Sequence, residues 1–202
     1  MGAQVRRRRV TKSPMDRRED ILRGGREVFG SIGFAAATIG DLAAAADIGK
    51  GTFYLYYESK DHLLGALWER YVDAIASTAQ DILEEGGDWW PTLDRLFTEL
   101  VGHAVRNADL HSIVYGSANA KALEICKQAN QRVIDLICEY VGRGARAGAL
   151  QAGDPAATLR MVYHGVDGLL DDLIAAGGPI DVDKVVADVL DLLHRALAGP
   201  AR

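Results

Sequence analysis

Between Thr38 and Lys60 the chain reads T-I-G-D-L-A-A-A-A-D-I-G-K-G-T-F-Y-L-Y-Y-E-S-K. Lys50, Thr52, Tyr54, Tyr56 and Lys60 bring ammonium, hydroxyl and phenol groups together in a short stretch. Such groups donate hydrogen bonds to phosphate oxygens and base edges, and flat rings pack on thymine methyls. Lys50 and Tyr54 are four residues apart and so share one face of a helix. Thr52 falls at the start of that helix, where free backbone N–H groups also favour phosphate. Gly51 carries no Cβ and lets the backbone come close to a partner. Thr38 and Lys60 are placed to hold phosphates at either end of the stretch. Phe53 and Tyr57 fall beneath the exposed face and read as core.

The elements that must hold these side chains follow from spacing. A first helix begins near Asp16. Its buried face runs through Ile21, Leu22, Gly25, Val28, Phe29 and Ile32, with Gly33 as its C-terminal cap. Gly24 and Gly25 suit a close helix contact. Thr38 caps a second helix whose Ala43–Ala46 block keeps it thin. Asp47-Ile48-Gly49 makes the turn, a third helix covers 50–57, and Ser59 caps a long fourth that runs to about Glu85. Beyond 88 every apolar pattern is again helical, with Asp154-Pro155 and Asp181 as further helix starts. No segment alternates with period two, so the fold class is all-α: an N-terminal three-helix helix-turn-helix domain, then a C-terminal helical domain, about nine helices in all. The organisation expected is a basic arm over 1–15, the helix-turn-helix over 16–62, and the helical body over 63–202.

Charge supports the same division. Residues 1–60 hold eleven Lys/Arg against seven Asp/Glu, whereas residues 61–202 hold twelve against twenty-one, so a basic head sits on an acidic body. Such a body repels nucleic acid and orients the head toward it. Arg6–Arg9 form a run that reads either as a solvated tail or as an arm following phosphates or entering a minor groove. No apolar run reaches the ~18 residues of a membrane span, and no secretory signal follows the arginines, so a cytoplasmic protein with no membrane partner is expected. Cys126 and Cys138 lie about 18 Å apart along one helical segment, too far for a disulfide with each other.

The order of these motifs, T-x-x-D-L-A-x-x-A, K-G-T-F-Y-x-Y-Y and S-K-D-x-L-L, resembles the TetR family of bacterial transcriptional regulators over about residues 17–68. Gly24-Gly25 depart from the family pattern, which carries alanine-like residues there. The resemblance implies a double-stranded DNA operator as partner, with phosphate contacts at Thr38, Tyr56 and Lys60 and groove contacts at Lys50, Gly51, Thr52 and Tyr54. It also implies a homodimer joined through the last two helices. There Val162, Val166, Leu169 and Leu170 form one apolar stripe, and Val189 and Leu193 lie on another. A pocket for a small-molecule effector is implied among helices 4 to 8, with Trp68, Phe97, Tyr115, Met161 and His164 as its lining.

Other chemistries are less well supplied. His164, Asp167 and Asp171, helped by His103 or His111, offer a loose set of metal ligands. Gly49-Lys50-Gly51-Thr52 lacks the glycine spacing and the strand of a phosphate-binding loop. No nucleophile–base constellation is present, and no cofactor is called for. The reading is a ligand-responsive, non-enzymatic DNA-binding repressor that binds a palindromic operator. The alternative is an all-helical regulator or adaptor that binds a protein partner or a metal ion.

Overall fold

The computed structural model describes residues 13–117, 119–151 and 153–198. The Arg6–Arg9 run of the expected basic arm lies outside them. Among the described residues the chain forms helices α1 (Pro14–Ile32), α2 (Ile39–Ala45), α3 (Lys50–Phe53), α4 (Lys60–Glu85), α5 (Trp89–Arg106), α6 (Ala108–Ser117), α7 (Ala120–Arg146), α8 (Pro155–Ala175) and α9 (Val182–Leu197), with no strand.

The starts and stops have local causes. Ser13 and Asp16 form a reciprocal capping box ahead of α1, with Pro14 at its first position, and Thr38 and Asp41 form another ahead of α2. Ser59, Asn119, Asp154 and Asp181 cap α4, α7, α8 and α9 through side-chain oxygens that accept backbone N–H groups. α2 ends in a paired closure: the Ile48 N–H donates to the Ala43 carbonyl and the Asp47 N–H to the Ala44 carbonyl, both at 3.0 Å. Asp47 sits in the left-handed region at φ 53°, where Asp is among the few residues tolerated.

Two expectations along the head are corrected. The third helix is a single turn, Lys50–Phe53, rather than 50–57. After it the Leu55 and Tyr56 N–H groups donate to carbonyls three residues back, which tightens the chain so that Tyr57 can return to the core. Ile32, placed on the buried face by its spacing, is 50% exposed because α1 outruns the small core there. Ile21, Leu22, Gly25 and Phe29 of that face are buried and Val28 is half-buried, and the glycine pair has the expected use. A Cβ on Gly24 would lie 3.0 Å from the Ala45 backbone carbon, and one on Gly25 would lie 2.7 Å from Leu63 Cδ2. Their absence brings α1 down onto α2 and α4 together.

In the body, α4 packs along α7, and α5, α8 and α9 close the other side. α7 carries both cysteines, and burial pushes the Cys126 thiol up to about 12. The stripes expected to join two subunits are turned inward. Val162, Val166, Leu170, Val189 and Leu193 are all buried within the chain's own core, because that face is the one α8 and α9 offer to α5 and α7. Of the residues named for the interface, Leu169 alone is exposed, at 43%. The outer side of α8 carries Met161, Gly165, Gly168, Leu169 and Asp172, and α9 adds Leu192.

Candidate functional site

The head presents a polar strip at its tip. Phe53 is fully buried and anchors α3. Around it Lys50, Gly51 and Tyr54 are exposed and Thr52 and Tyr56 half-buried, so five of the seven residues expected to meet DNA form one accessible surface. Leu55, which sequence reasoning passed over, stands at the same tip with 82% of its surface exposed. Tyr57 is core, as its spacing requires, and its phenol oxygen accepts from Arg18 Nε at 3.2 Å, tying the segment after α3 to α1.

The other two residues have internal partners. Both donors of Thr38 turn to Asp41: its hydroxyl donates to Oδ2 at 2.6 Å and its N–H at 2.9 Å. These bonds, with lesser help from Lys50, hold the Asp41 carboxyl below the usual range. Lys60 Nζ donates to the carbonyls of Phe34, Ala35 and Ala37 at 2.7, 3.0 and 3.0 Å and lies 4.7 Å from the Phe34 ring centroid. All three ammonium protons thus bind the α1–α2 loop. Lys60 is a clamp on the head in this structure, and nothing about its spacing in the sequence pointed to that role.

A second constellation lies in the body, where α4, α6, α7 and α8 meet. Tyr71 Oη and His111 Nε2 are 2.9 Å apart, and His111 Nδ1 is 3.0 Å from Asp171 Oδ1. Burial pushes the Tyr71 phenol far above its usual range, so it keeps its proton. The His111 ring thus bridges the Tyr71 phenol and the Asp171 carboxyl through its two nitrogens. Tyr115 Oη donates to Asp167 Oδ2 at 3.4 Å, and Trp68 Nε1 donates to Asn130 at 2.8 Å. Burial and the nearby charge of Asp171 hold the Asp167 carboxyl above the ordinary range. His103 Nε2 donates to the Tyr71 carbonyl at 3.1 Å, and burial lowers its pKa.

Three hollows flank this cluster, of which one, of about 490 Å³, is lined by Tyr71 and His103 together with Arg23, Arg26 and Arg70; the other two lie nearer the aspartates. The smaller of these two, of about 30 Å³, is bounded by Tyr71, Phe97, Tyr163 and Asp167. The larger, an open cleft of about 390 Å³, is bounded by His111, Tyr115, Asp171 and neighbouring residues. Of the lining expected from the sequence, Phe97 faces the smaller, Tyr115 faces the larger, and Trp68 is buried against Tyr71, His111 and Tyr115. Met161, 69% exposed, and His164 lie instead on the outer side of α8, because they fall on the opposite face from Val162 and Val166. Sequence reasoning weighed the aspartates only as metal ligands. Among the described residues no group of three His, Cys, Asp or Glu is arranged to hold a metal.

Head and body are joined by α4, which passes both, and by a contact the sequence did not reveal. Arg26 in α1 grips Asp109 in α6 with two parallel bonds of 2.7 and 2.6 Å, and also reaches Asn107 at 3.3 Å. Asp109 is two residues before His111.

Comparison with known proteins gives a consistent result. The family model described as bacterial regulatory proteins, tetR family, matches residues 21–67. The HTH-type transcriptional regulator YvdT of Bacillus subtilis is 31% identical over 106 residues, a match that spans 52% of this chain and 55% of that one. TtgR of Pseudomonas putida, another HTH-type transcriptional regulator, is 27% identical over 205 residues, covering 93% of this chain and 96% of its own. The structure of the transcriptional regulator FadR from Bacillus subtilis in complex with stearoyl-CoA aligns with a TM-score of 0.78 at 16% identity, over 91% of this chain and 99% of that one. The head over residues 21–67 thus matches the tetR family of bacterial regulatory proteins, and the fold of that FadR regulator is shared over nearly the whole length.

Proposed function

We propose that the chain is a transcriptional repressor that acts in the cytoplasm, is not an enzyme, binds a palindromic operator as a homodimer, and is released by a small organic effector. The observation that carries this is the accessible strip of Lys50, Gly51, Thr52, Tyr54 and Tyr56 on a head otherwise closed around Phe53. One helical turn reads too few base pairs for specificity, so two copies set one DNA turn apart are needed. The outer side of α8 suits that pairing. A Cβ on Gly165 or Gly168 would meet nothing, and Met161 and Leu169 flank them, so an apolar strip of exposed backbone is open to a second helix. Two mid-helix glycines cost about 1 kcal/mol each relative to alanine, a cost offset where a partner helix comes close.

The effector site is the polar cluster with the two hollows beside Asp167 and Asp171. FadR, which shares this fold and was solved in complex with stearoyl-CoA, supports a small-molecule effector. An effector that displaces His111 from Tyr71 or Asp171 moves α6 and α4 together. α6 bears on α1 through Asp109 and Arg26, and α4 bears on the α1–α2 loop through Lys60. Release then follows from differential affinity of the effector for the two arrangements.

The test is selection of binding sites from genomic fragments with the purified protein, followed by binding of Tyr54→Ala to the selected operator. The expected loss is roughly 10- to 100-fold, as for a side chain worth about 1–3 kcal/mol at the bases. Wild-type binding should weaken steeply with salt through counterion release. A salt-independent complex, or unchanged affinity in the variant, refutes the reading and favours a protein partner.

A further inference from the structure

Where the head meets the body, α1, α4, α5 and α6 leave a cleft of about 490 Å³ between them. Its floor is apolar and made of Leu22, Leu67 and Leu110, all buried. Its sides carry the guanidiniums of Arg23 and Arg26 from α1 and of Arg70 from α4. Apolar walls with a few polar groups, in a volume of this size, are what small-molecule sites are made of. This cleft is distinct from the hollows beside Asp167 and Asp171, although Tyr71 lines both it and the smaller of them.

The three arginines are not equally engaged. Arg26 is fixed: it holds Asp109 with two parallel bonds and reaches Asn107, and the hydrogen bonds to Asp109 raise its pKa. Arg70 meets Glu19 across the cleft through Nη1, in a pair whose two side chains are both more than half exposed. Arg23 meets Asp20 at 3.4 Å and Glu27 at 3.3 Å, carboxylates of its own helix, and is itself mostly exposed. Exposed pairs of this kind contribute little, because water takes back either partner at small cost. Glu19 therefore holds a place at Arg70 that a better acceptor can take over.

We propose that this cleft binds an organic phosphate monoester, whose oxygens displace Glu19 from Arg70 and also engage Arg23, and whose apolar part lies on Leu22, Leu67 and Leu110. A guanidinium fork binds phosphate as it binds carboxylate, through two parallel N–H donors. A phosphate offers three acceptor oxygens and, near neutral pH, close to two negative charges, so it serves an arginine on each side. A carboxylate has oxygens enough for one fork only. Asp20, mostly buried beside Arg23, opposes a bare anion, so contact with the apolar floor is needed for affinity. The displaced Glu19 turns into solvent. Binding thereby opens the Glu19–Arg70 link of α1 to α4 and leaves the Arg26–Asp109 link of α1 to α6 in place. That is a second route from a small molecule to the head, separate from the polar cluster, and its binding step stands without the repressor reading.

The probes are phenyl phosphate, inorganic phosphate and benzoate, titrated into the full-length protein by calorimetry at one low salt concentration. Phenyl phosphate should bind at least ~10-fold more tightly than either of the others. Arg70→Gln should weaken it by ~10-fold or more. Glu19→Gln should tighten it by about 2- to 5-fold, since the competing carboxylate is gone and Arg70 is kept. Melting curves check that each variant is folded, and if Arg70→Gln is not, Glu19→Gln alone decides. A purely structural role for the pair predicts that the two variants bind alike. Unchanged or weaker binding in Glu19→Gln overturns the proposal. So does full affinity in Arg70→Gln, benzoate or inorganic phosphate binding as tightly as phenyl phosphate, or no binding of phenyl phosphate by the unmodified protein. Operator binding is measured on the same preparations. Phenyl phosphate bound without an operator leaves this site standing and removes the repressor reading; an operator bound without phenyl phosphate does the reverse.

Discussion

Replacing Lys60 with alanine removes three hydrogen bonds to the loop between α1 and α2 and a cation above the Phe34 ring. A hydrogen bond with a charged donor contributes about 1.5–3 kcal/mol net when the site is shielded. Here the Ala35 carbonyl is exposed, and water replaces the ammonium there at little loss. The Phe34 and Ala37 carbonyls are partly buried and are less easily rehydrated. With the ring contact adding about 0.5 kcal/mol, the expected destabilisation is about 2–3 kcal/mol. For a chain of this size that lowers the thermal midpoint by roughly 4–10 °C. Lys60→Met keeps the aliphatic stem and should lose most of the same amount, which separates the donors from the packing. The competing account, in which Lys60 serves DNA phosphate alone, leaves stability untouched and lowers the slope of log affinity against log salt by about one. Both variants melting within about 0.5 kcal/mol of the parent would falsify the clamp.

Three further outcomes follow from geometry already described. Gly24→Ala should destabilise by about 1–2 kcal/mol in urea unfolding despite the helix preference of alanine, because the new methyl meets the Ala45 backbone; a neutral or stabilising result rejects the close contact. Asp167 binds its proton more tightly folded than unfolded, so its contribution to stability is complete below the unfolded pKa of about 3.9 and is lost as pH rises through the raised folded value. Asp167→Asn should therefore gain in thermal stability relative to the parent as pH climbs from acid to neutral, and parallel pH curves count against the raised carboxyl. Gly168→Glu places a charge on the outer strip of α8 without touching the core, and should convert the protein from dimer to monomer in sedimentation; an unchanged dimer mass moves the interface elsewhere.

Much of the architecture was legible because it depends on short-range rules. Thr38, Ser59, Asp154 and Asp181 declare their helices by side-chain chemistry that acts within three residues, and the structure uses all four as caps. Gly24 and Gly25 signalled a close contact because nothing else justifies them in a helix. What spacing does not encode is which of two apolar neighbours an amphipathic face will meet. The Val162–Val166–Leu170 stripe is as suitable for a second copy as for the chain's own α5 and α7, and the fold takes the latter. The same ambiguity misplaced Met161 and His164, since a rotation of α8 by half a turn exchanges lining for surface. Pairs distant in sequence were also illegible: Arg26 with Asp109, Lys60 with three carbonyls some twenty-five residues earlier, and His111 with Tyr71 and Asp171. Each is a product of tertiary approach, and each partner alone looks like an ordinary surface or core residue.

The uninterrupted run of α4 from Lys60 to Glu85 sets how little movement suffices for switching. From Tyr71, at the polar cluster, to Lys60, at the head, is eleven residues, or about 16 Å of rigid rod. A pivot of about 10° at Tyr71 swings the far end by nearly 3 Å, close to the 3.4 Å that separates stacked bases along a strand. In a symmetric pair the two ends swing in opposite senses, so the gap between reading surfaces changes by up to twice that amount. A displacement at the cluster no larger than a broken hydrogen bond is thus geared up to a misfit of one to two base steps.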